Sequence, residues 1–340
     1  MGVDIGNLVE SEETSLEALK GRKIAVDSLN VLYQFLSIIR QPNGTPLKDS
    51  KGRVTSHLSG LFYRTAKLIE NEIKPCYVFD GEPPEFKKTT NRKRRERREE
   101  AKKKYEKALE RGDSEEAKKY GQMSARVQDE MIEDSKKLLG AMGIPYVQAP
   151  SEGEAQAAFM NRKGDVWATS SQDFDALLFG SPILLRNIAI TGKRKLPNKE
   201  QYVEVNPEIL ESKKVLNQLG ISRKQLVMIG ILIGTDYNPK GIGGVGPKTA
   251  IDLVKEHDSM KSIIDEVGWD FDISYEKVMD FFMKPPTNED YSLVWRNPDK
   301  EKIKEFLCEE HDFSENRIDS SIERLERGVK SGTQKRLDSW

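Results

Sequence analysis

The chain has 340 residues, room for one large α/β domain with insertions or for two smaller ones. Its 55 Lys+Arg and 56 Asp+Glu cancel to a net charge of −1 although charged residues make up 33% of the chain, so the totals describe a charged protein and not a uniformly basic nucleic-acid binder. Two cysteines (Cys76, Cys308) and three scattered histidines (His57, His257, His311) exclude a disulfide framework, a Cys-x-x-Cys knuckle and a zinc site, which leaves oxygen as the only ligand for a metal.

No stretch approaches the roughly 18–20 apolar residues that span a bilayer, and MGVDIGNLVESEETS lacks the form of a signal peptide, so a soluble chain with no membrane partner is expected. KIAVD (23–27) reads as a buried strand closed by Asp27. The segment 56–73 has the apolar spacing of a helix, with Leu58, Leu61, Phe62, Leu68 and Ile69 on one side. CYVFD (76–80), introduced by Pro75, is a second strand closed by an acid, Asp80. Residues 87–107 then hold twelve Lys/Arg and four Glu, a net of +8, with almost no apolar face. A helix of this composition is no core element, and it either lies solvated and salt-bridged or faces phosphates. Apolar periodicity returns at 124–143. DVWATS (165–170) is a third strand and leads into Asp173 and Asp175. Strand, helix, strand is the pattern of a parallel α/β sheet, whose ligands bind beyond the carboxyl ends of the strands, so the acids at those ends should share one crevice.

Two further acidic sites stand out. APSEGEAQAAFM (149–160) carries Glu152 and Glu154 at a helix entrance, and ILIGTDYN (231–238) carries Asp236 after an apolar helix. Singly, each acid also fits a structural role. Ser151 and Glu154 match a capping box, Asp173 can end a strand, and Asp236 with Asn238-Pro239 can form a turn. Together, seven carboxylates in one crevice repel one another unless cations or protons neutralise them. A divalent metal with oxygen ligands, Mg²⁺ or Mn²⁺, is the simplest neutraliser, and two such ions suit phosphodiester hydrolysis. An acidic metal site beside a basic helix points to a nuclease.

GIGGVGPKTA (241–250) formally matches G-x-G-x-x-G through Gly241, Gly243 and Gly246, but it follows a turn and an apparent helix where a dinucleotide fold needs a strand. Pro247 before Lys248 also breaks a P-loop. A helix, a glycine hairpin and a second helix (249–257) fit better, either as a backbone phosphate site or as a plain helical turn.

The stretches VFDGEPPEFK (78–87), APSEGEAQAA (149–158), SQDFDALLFG (171–180), GTDYNPKGIGGVGPKTA (234–250) and YSLVWRNPD (291–299) together resemble the flap endonucleases of the structure-specific 5′-nuclease superfamily, over the whole chain and most like the archaeal members. The resemblance implies a PIN-like α/β fold, with a twisted, mostly parallel central sheet flanked by helices, a helical arch insertion and a helix–hairpin–helix. The implied regions are an N-terminal nuclease region (1–98), part of the basic arch (99–115, within an arch of about 82–130) and an internal nuclease region (116–258) that includes the helix–hairpin–helix at about 226–258. A C-terminal helical region (259–330) and a clamp-binding tail (331–340) complete them. It further implies that Asp27, Asp80, Glu152, Glu154, Asp173, Asp175 and Asp236 surround two Mg²⁺ ions, with Mn²⁺ as a substitute. Lys87 and Arg94 would contact the scissile phosphate as catalytic cations and Tyr33 would stack on a base. Gly2, Arg64, Gly241, Gly243, Gly244, Gly246 and Lys248 would contact DNA, with K⁺ at the hairpin.

The implied activity is cleavage of branched DNA bearing a 5′ flap, with 5′ to 3′ exonuclease activity, during replication and repair, leaving a 5′-phosphate and a 3′-hydroxyl. Gln334, Leu337 and Trp340 fit the first three anchors of a sliding-clamp (PCNA-type) peptide whose last aromatic is missing, which would weaken clamp binding if the chain ends there. A monomer is expected, in the cytoplasm on the nucleoid if archaeal and in the nucleus if eukaryotic. The competing readings are a sister 5′ nuclease for junctions, bubbles or recessed ends, a non-catalytic DNA or clamp scaffold, and a nicotinamide binder. Without residues 87–107 the chain holds 43 basic and 52 acidic residues, so the near-zero total conceals a basic arch and an acidic remainder.

Overall fold

The computed structural model describes residues 2–195 and 202–337. Its elements in chain order are β1 (Glu12–Glu13), β2 (Lys23–Asp27), α1 (Ser28–Ile38), α2 (Ser56–Glu70), β3 (Lys74–Phe79), α3 (Lys88–Glu110), α4 (Ser114–Met123), α5 (Asp129–Ala141), β4 (Tyr146–Gln148), α6 (Gly153–Lys163), β5 (Ala168–Ser170) and α7 (Asp175–Leu178). They continue as β6 (Ile183–Arg186), β7 (Gly192–Lys195), β8 (Tyr202–Val205), β9 (Glu208–Glu211), α8 (Ser212–Leu219), α9 (Arg223–Ile233), α10 (Pro247–Glu256), α11 (Met260–Val267), α12 (Tyr275–Met283), α13 (Lys300–Lys304) and α14 (Glu315–Leu337).

The main sheet runs β1-β9-β6-β5-β2-β3-β4, with its five strands from β6 to β4 parallel and β9 and β1 antiparallel at one edge. β2 lies at its centre, with Ile24 registered against both Pro75 and Ala168. Ile24, Ala25 and Val26 are buried on both faces, which is why KIAVD reads as a continuous apolar run. One face is covered by a core that includes Leu61 and Phe62 of α2, Leu138 and Leu139 of α5 and Leu325 of α14. The other core, with Phe179, Leu226, Val254 and Phe282, packs α7, α9, α10 and α12. An extended segment carrying Tyr291, Leu293 and Trp295 covers Cys76, Val78 and Val147, and Trp295 Nε1 donates to Pro75 O at 2.8 Å.

The α/β architecture is as expected, with shifts at the edges of several elements. The third strand is confined to Ala168–Ser170 because residues 161–166 form the helix end and the turn that Asn161 ties to Val166 O and Trp167 O. The helix expected over 124–143 begins at Asp129, and the one over 56–73 ends at Glu70. The sequence boundaries at 98/99 and 115/116 fall inside α3 and α4, which together form one insertion between β3 and α5. Nor is the basic helix devoid of buried residues, since Thr90, Ala101 and Ala108 are buried and α3 packs along α4 through such small side chains. The tail expected from 331 begins within α14, which runs to Leu337; the side chains of Gln334 and Leu337, and all of Trp340, lie outside the described residues.

Gly328 marks where α14 crosses α2, since a Cβ there would run into the carbonyl of Ile69. Gly328→Ala is expected to lower stability by about 2–3 kcal/mol through this overpacking, read as a lower urea midpoint at unchanged slope. An unchanged midpoint would show that the crossing yields freely.

Candidate active site

The carboxyl ends of the parallel strands deliver the acids. Asp27 closes β2 and also caps α1, its Oδ1 accepting the Asn30 amide at 3.1 Å. Asp80 follows β3, and its Oδ1 accepts the Gly153 amide at 2.7 Å, so the end of β3 is tied to the start of α6. Gly81 makes the approach possible, because a Cβ there would collide with the backbone of Ala149 and Pro150. Asp175 opens α7 and accepts the Val3 amide at 2.6 Å, while Gly2 lies so close that a Cβ on it would be 2.5 Å from the Asp175 carboxylate. Asp236 follows α9 in a turn held by buried Asn238, whose side chain bonds Thr235 and Ile231 O.

Asp27, Asp80, Glu152, Glu154, Asp173, Asp175 and Asp236 line one cavity of about 260 Å³, shared with Tyr33, Lys87 and Arg94. The expected convergence of seven acids at one crevice is what the fold produces. The capping box does not form: Glu152 is the N-cap of α6 and its side chain makes no capping bond, and Glu154 faces the crevice with Oε1 buried and unpartnered.

The electrostatics follow from burial and like charge. Burial and then Glu152 raise Asp80 to about 6, and burial and then Asp236 raise Asp175 to about 7. Asp27 is held well above the usual carboxylate range by burial and by Asp80, and Glu154 by burial and by Asp175. Two arch cations offset part of this charge. Lys87 Nζ lies 2.8 and 2.6 Å from the two Glu152 oxygens and 3.6 Å from Asp236, and Arg94 pairs with Asp236. Burial opposes the charge on Lys87, but Glu152 and Asp236 outweigh it and push its pKa up.

Among the described residues no three acids stand at metal-ligand spacing, and Lys87 and Arg94 take part of the set instead. The donor chemistry nevertheless suits a hard divalent cation: all oxygen, buried, under-neutralised, and with one orphaned carboxylate oxygen.

Other expected residues are more scattered. Tyr33 lines the crevice with the Arg98 guanidinium 5.5 Å from its ring. Arg64 lies away from the crevice, its guanidinium bonded to Thr191 Oγ1 at 2.7 Å and Thr191 O at 3.3 Å, where it ties α2 to the base of the β7–β8 hairpin. At the glycine hairpin Gly241 (φ +61°) has a packing role, since a Cβ would strike Leu232 and Ile233. Gly243 and Gly244 are exposed and Lys248 projects to solvent at the start of α10, so these positions face outward as a phosphate site requires. Sequence reasoning missed Asn30, Arg98 and Arg126, which also line the crevice. The Asx spacing after Asp27 was a signal for Asn30; Arg126 is one cation among many and had none.

Comparison with known proteins gives matches over the whole chain. The XPG N-terminal domain matches residues 5–101 and the XPG I-region residues 143–236. A curated protein named flap endonuclease 1 from Pyrococcus furiosus is 56% identical over 340 residues, covering 100% of this chain and 99% of the relative; one from Staphylothermus marinus is 53% identical over 348 residues, covering 100% and 99%. The solved flap endonuclease-1 of Methanococcus jannaschii superposes with a TM-score of 0.77 at 42% identity, covering 97% of this chain and 99% of that one. The catalytic core of Rad2 in complex with a DNA substrate gives 0.67 at 26%, covering 94% and 97%.

Because Asp80 and Asp175 titrate higher in the folded chain than the ordinary 3.8, the native state holds protons that the unfolded chain has released. Their contribution to metal-free stability is therefore greatest below about pH 4 and is lost as pH rises through about 6 to 7. Asp175→Asn is expected to raise metal-free stability at pH 8 by on the order of 1–3 kcal/mol and to flatten this part of the pH dependence. Thermal unfolding in EDTA across pH 4–8 checks it, and a destabilised variant at pH 8 would contradict it.

Proposed function

The chain belongs to the flap endonuclease family, structure-specific nucleases that hydrolyse DNA phosphodiesters in replication and repair, and from that premise we propose how its crevice carries out the reaction. The observation that carries the proposal is the buried set of seven carboxylates facing Lys87 and Arg94. Asp27, Asp80, Glu152, Glu154, Asp173, Asp175 and Asp236 hold two Mg²⁺ ions, with Mn²⁺ as an alternative. When bound, the ions supply charge stabilisation at the phosphate and make the attacking water more acidic. Lys87 and Arg94 leave Glu152 and Asp236 for the non-bridging oxygens of the scissile phosphate, where they stabilise the charge that develops on it.

Water adds to phosphorus and the P–O3′ bond breaks, leaving a 5′-phosphate on the duplex and a 3′-hydroxyl on the flap. Tyr33, on the crevice wall, stacks on an exposed base and so positions the strand. Gly243, Gly244 and Lys248 contact the uncut duplex through phosphates, and the hairpin would hold K⁺. Arg64 contributes to duplex binding from the hairpin base it anchors, and Gly2 keeps the N-terminus close enough to approach the DNA. Gln334, Leu337 and Trp340 engage a sliding clamp. The enzyme acts as a monomer, and its archaeal relatives favour a cytoplasmic, nucleoid-associated location.

Cleavage of a 5′-flap DNA with Mg²⁺ by wild type and Asp175→Ala tests the assignment. The variant is expected to lose at least about 10³-fold in rate, the loss of roughly 4 kcal/mol of transition-state stabilisation. Equal rates would sink it. DNA affinity is expected to fall steeply with salt and alike for unrelated sequences, as phosphate-dominated binding requires.

A further inference from the structure

Asp173 is held differently from the acids beside it. Asp27, Asp80 and Asp175 each accept a backbone amide, from Asn30, Gly153 and Val3, so the fold itself fixes where those oxygens point. Asp173 lies between β5 and α7, and its Oδ2 accepts from a side chain, the Asn30 carboxamide, with Nδ2 at 3.4 Å. The contact is long for a hydrogen bond, so it orients the carboxylate and leaves it available to a cation. A carboxamide can turn about its last torsion, and turned over it would set its oxygen against the carboxylate. Gln34 prevents that. One turn further along α1, its Nε2 donates to Asn30 Oδ1 at 2.9 Å, which leaves Asn30 Nδ2 facing Asp173. Among the described residues this is the only hydrogen bond of the Gln34 side chain, whose Oε1 is buried without a protein partner. Asp27, Asn30 and Gln34 stand three and four residues apart and so share one face of the helix.

We infer that Asn30 and Gln34 are positioning residues that aim Asp173 at a metal ion, with Gln34 acting through Asn30. The inference rests on the assignment of the seven acids as a metal site. A carboxamide suits the task because it donates a hydrogen bond and adds no charge. A Lys or Arg at this place would compete with the ion for the carboxylate, as Lys87 and Arg94 do at Glu152 and Asp236, and another acid would add to the repulsion. Groups that hydrogen-bond a ligating carboxylate fix its orientation, and removing one typically weakens metal binding about 10- to 100-fold although it touches no metal. Asn30 lines the crevice and Gln34 stands behind it, so Gln34 reaches the ion only by holding the Asn30 amide.

Mn²⁺ binding to the full-length chain, read from the loss of the free-ion electron paramagnetic resonance signal, tests it with Asn30→Leu, Gln34→Met and the two combined. Each substitution keeps much of the side chain's size and removes the amide. Asn30→Leu is expected to weaken Mn²⁺ binding about tenfold or more, and Gln34→Met at least about threefold. The double variant is expected to bind within about twofold of Asn30→Leu, because Gln34 works through Asn30. The Mg²⁺ concentration for half-maximal cleavage of a 5′-flap DNA is expected to rise in the same order. Thermal unfolding in EDTA separates positioning from a structural role, which would lower the midpoint and leave the Mn²⁺ affinity of the folded chain unchanged. That result would overturn the inference, as would single variants that bind within about twofold of wild type or losses that simply add in the double variant. Gln34→Met, which leaves every crevice-lining side chain in place, decides the matter if Asn30→Leu does not fold. A wild type that binds no Mn²⁺ would instead overturn the metal assignment, and the inference with it.

Discussion

Like charge gathered in a buried place is the constraint on which this structure depends. Parallel strands point their carboxyl ends the same way, so a chain that closes β2 and β3 with acids and places others just after β4 and β5 focuses negative charge at one edge of the sheet. Burial then makes each carboxylate costly to ionise, and neighbours raise the cost further: Asp175 stands at about 7 and Asp80 at about 6. Backbone amides contribute what they can, from Val3 to Asp175, from Gly153 to Asp80 and from Asn30 to Asp27. They are too few, and cations must supply the rest.

The arch answers that need. Its net +8 over residues 87–107 is far more than a solvated helix requires, and its first turns set Lys87 and Arg94 directly on Glu152 and Asp236. Exposed i,i+4 pairs such as Arg95–Glu99 are solvated, and such ion pairs contribute little to stability. The same helix therefore carries two populations of charge, one solvated and one committed to the crevice. A phosphodiester brings its own negative charge to the site, so the two inward cations have a natural second partner.

Much of this is legible in the sequence alone. Short apolar runs closed by acids mark β2 and β3 and the place where the crevice lies, because strand composition and strand direction are local properties. The seven acids were legible as a set, though not their pairing: nothing in the spacing says that Lys87 lies across Glu152 when 65 residues separate them. Short-range patterns misled where tertiary contacts overrode them, as at Ser151 and Glu154, whose capping spacing is used for crevice geometry. Arg64 reads as one more cation on an amphipathic helix, and only the fold shows it bound to Thr191. The close approach of the turn at Gly44 to α4 at Gly121 is not legible in the sequence, because the two lie far apart in the chain and the signal is the absence of side chains: a Cβ on Gly44 would strike the backbone of Ala117 and Lys118, and one on Gly121 the carbonyl of Gly44. Gly121 in particular lies mid-helix, where a glycine costs about 1 kcal/mol against alanine and so asks for a packing reason.

The most direct test of the central claim is a crystal of the full chain grown with Mn²⁺ and measured at a wavelength where manganese scatters anomalously. The account predicts two anomalous peaks in the crevice, within ligand distance of oxygens drawn from the seven acids, and Lys87 Nζ withdrawn from Glu152. A crevice without manganese, its acids still paired to Lys87 and Arg94 at saturating metal, would contradict it.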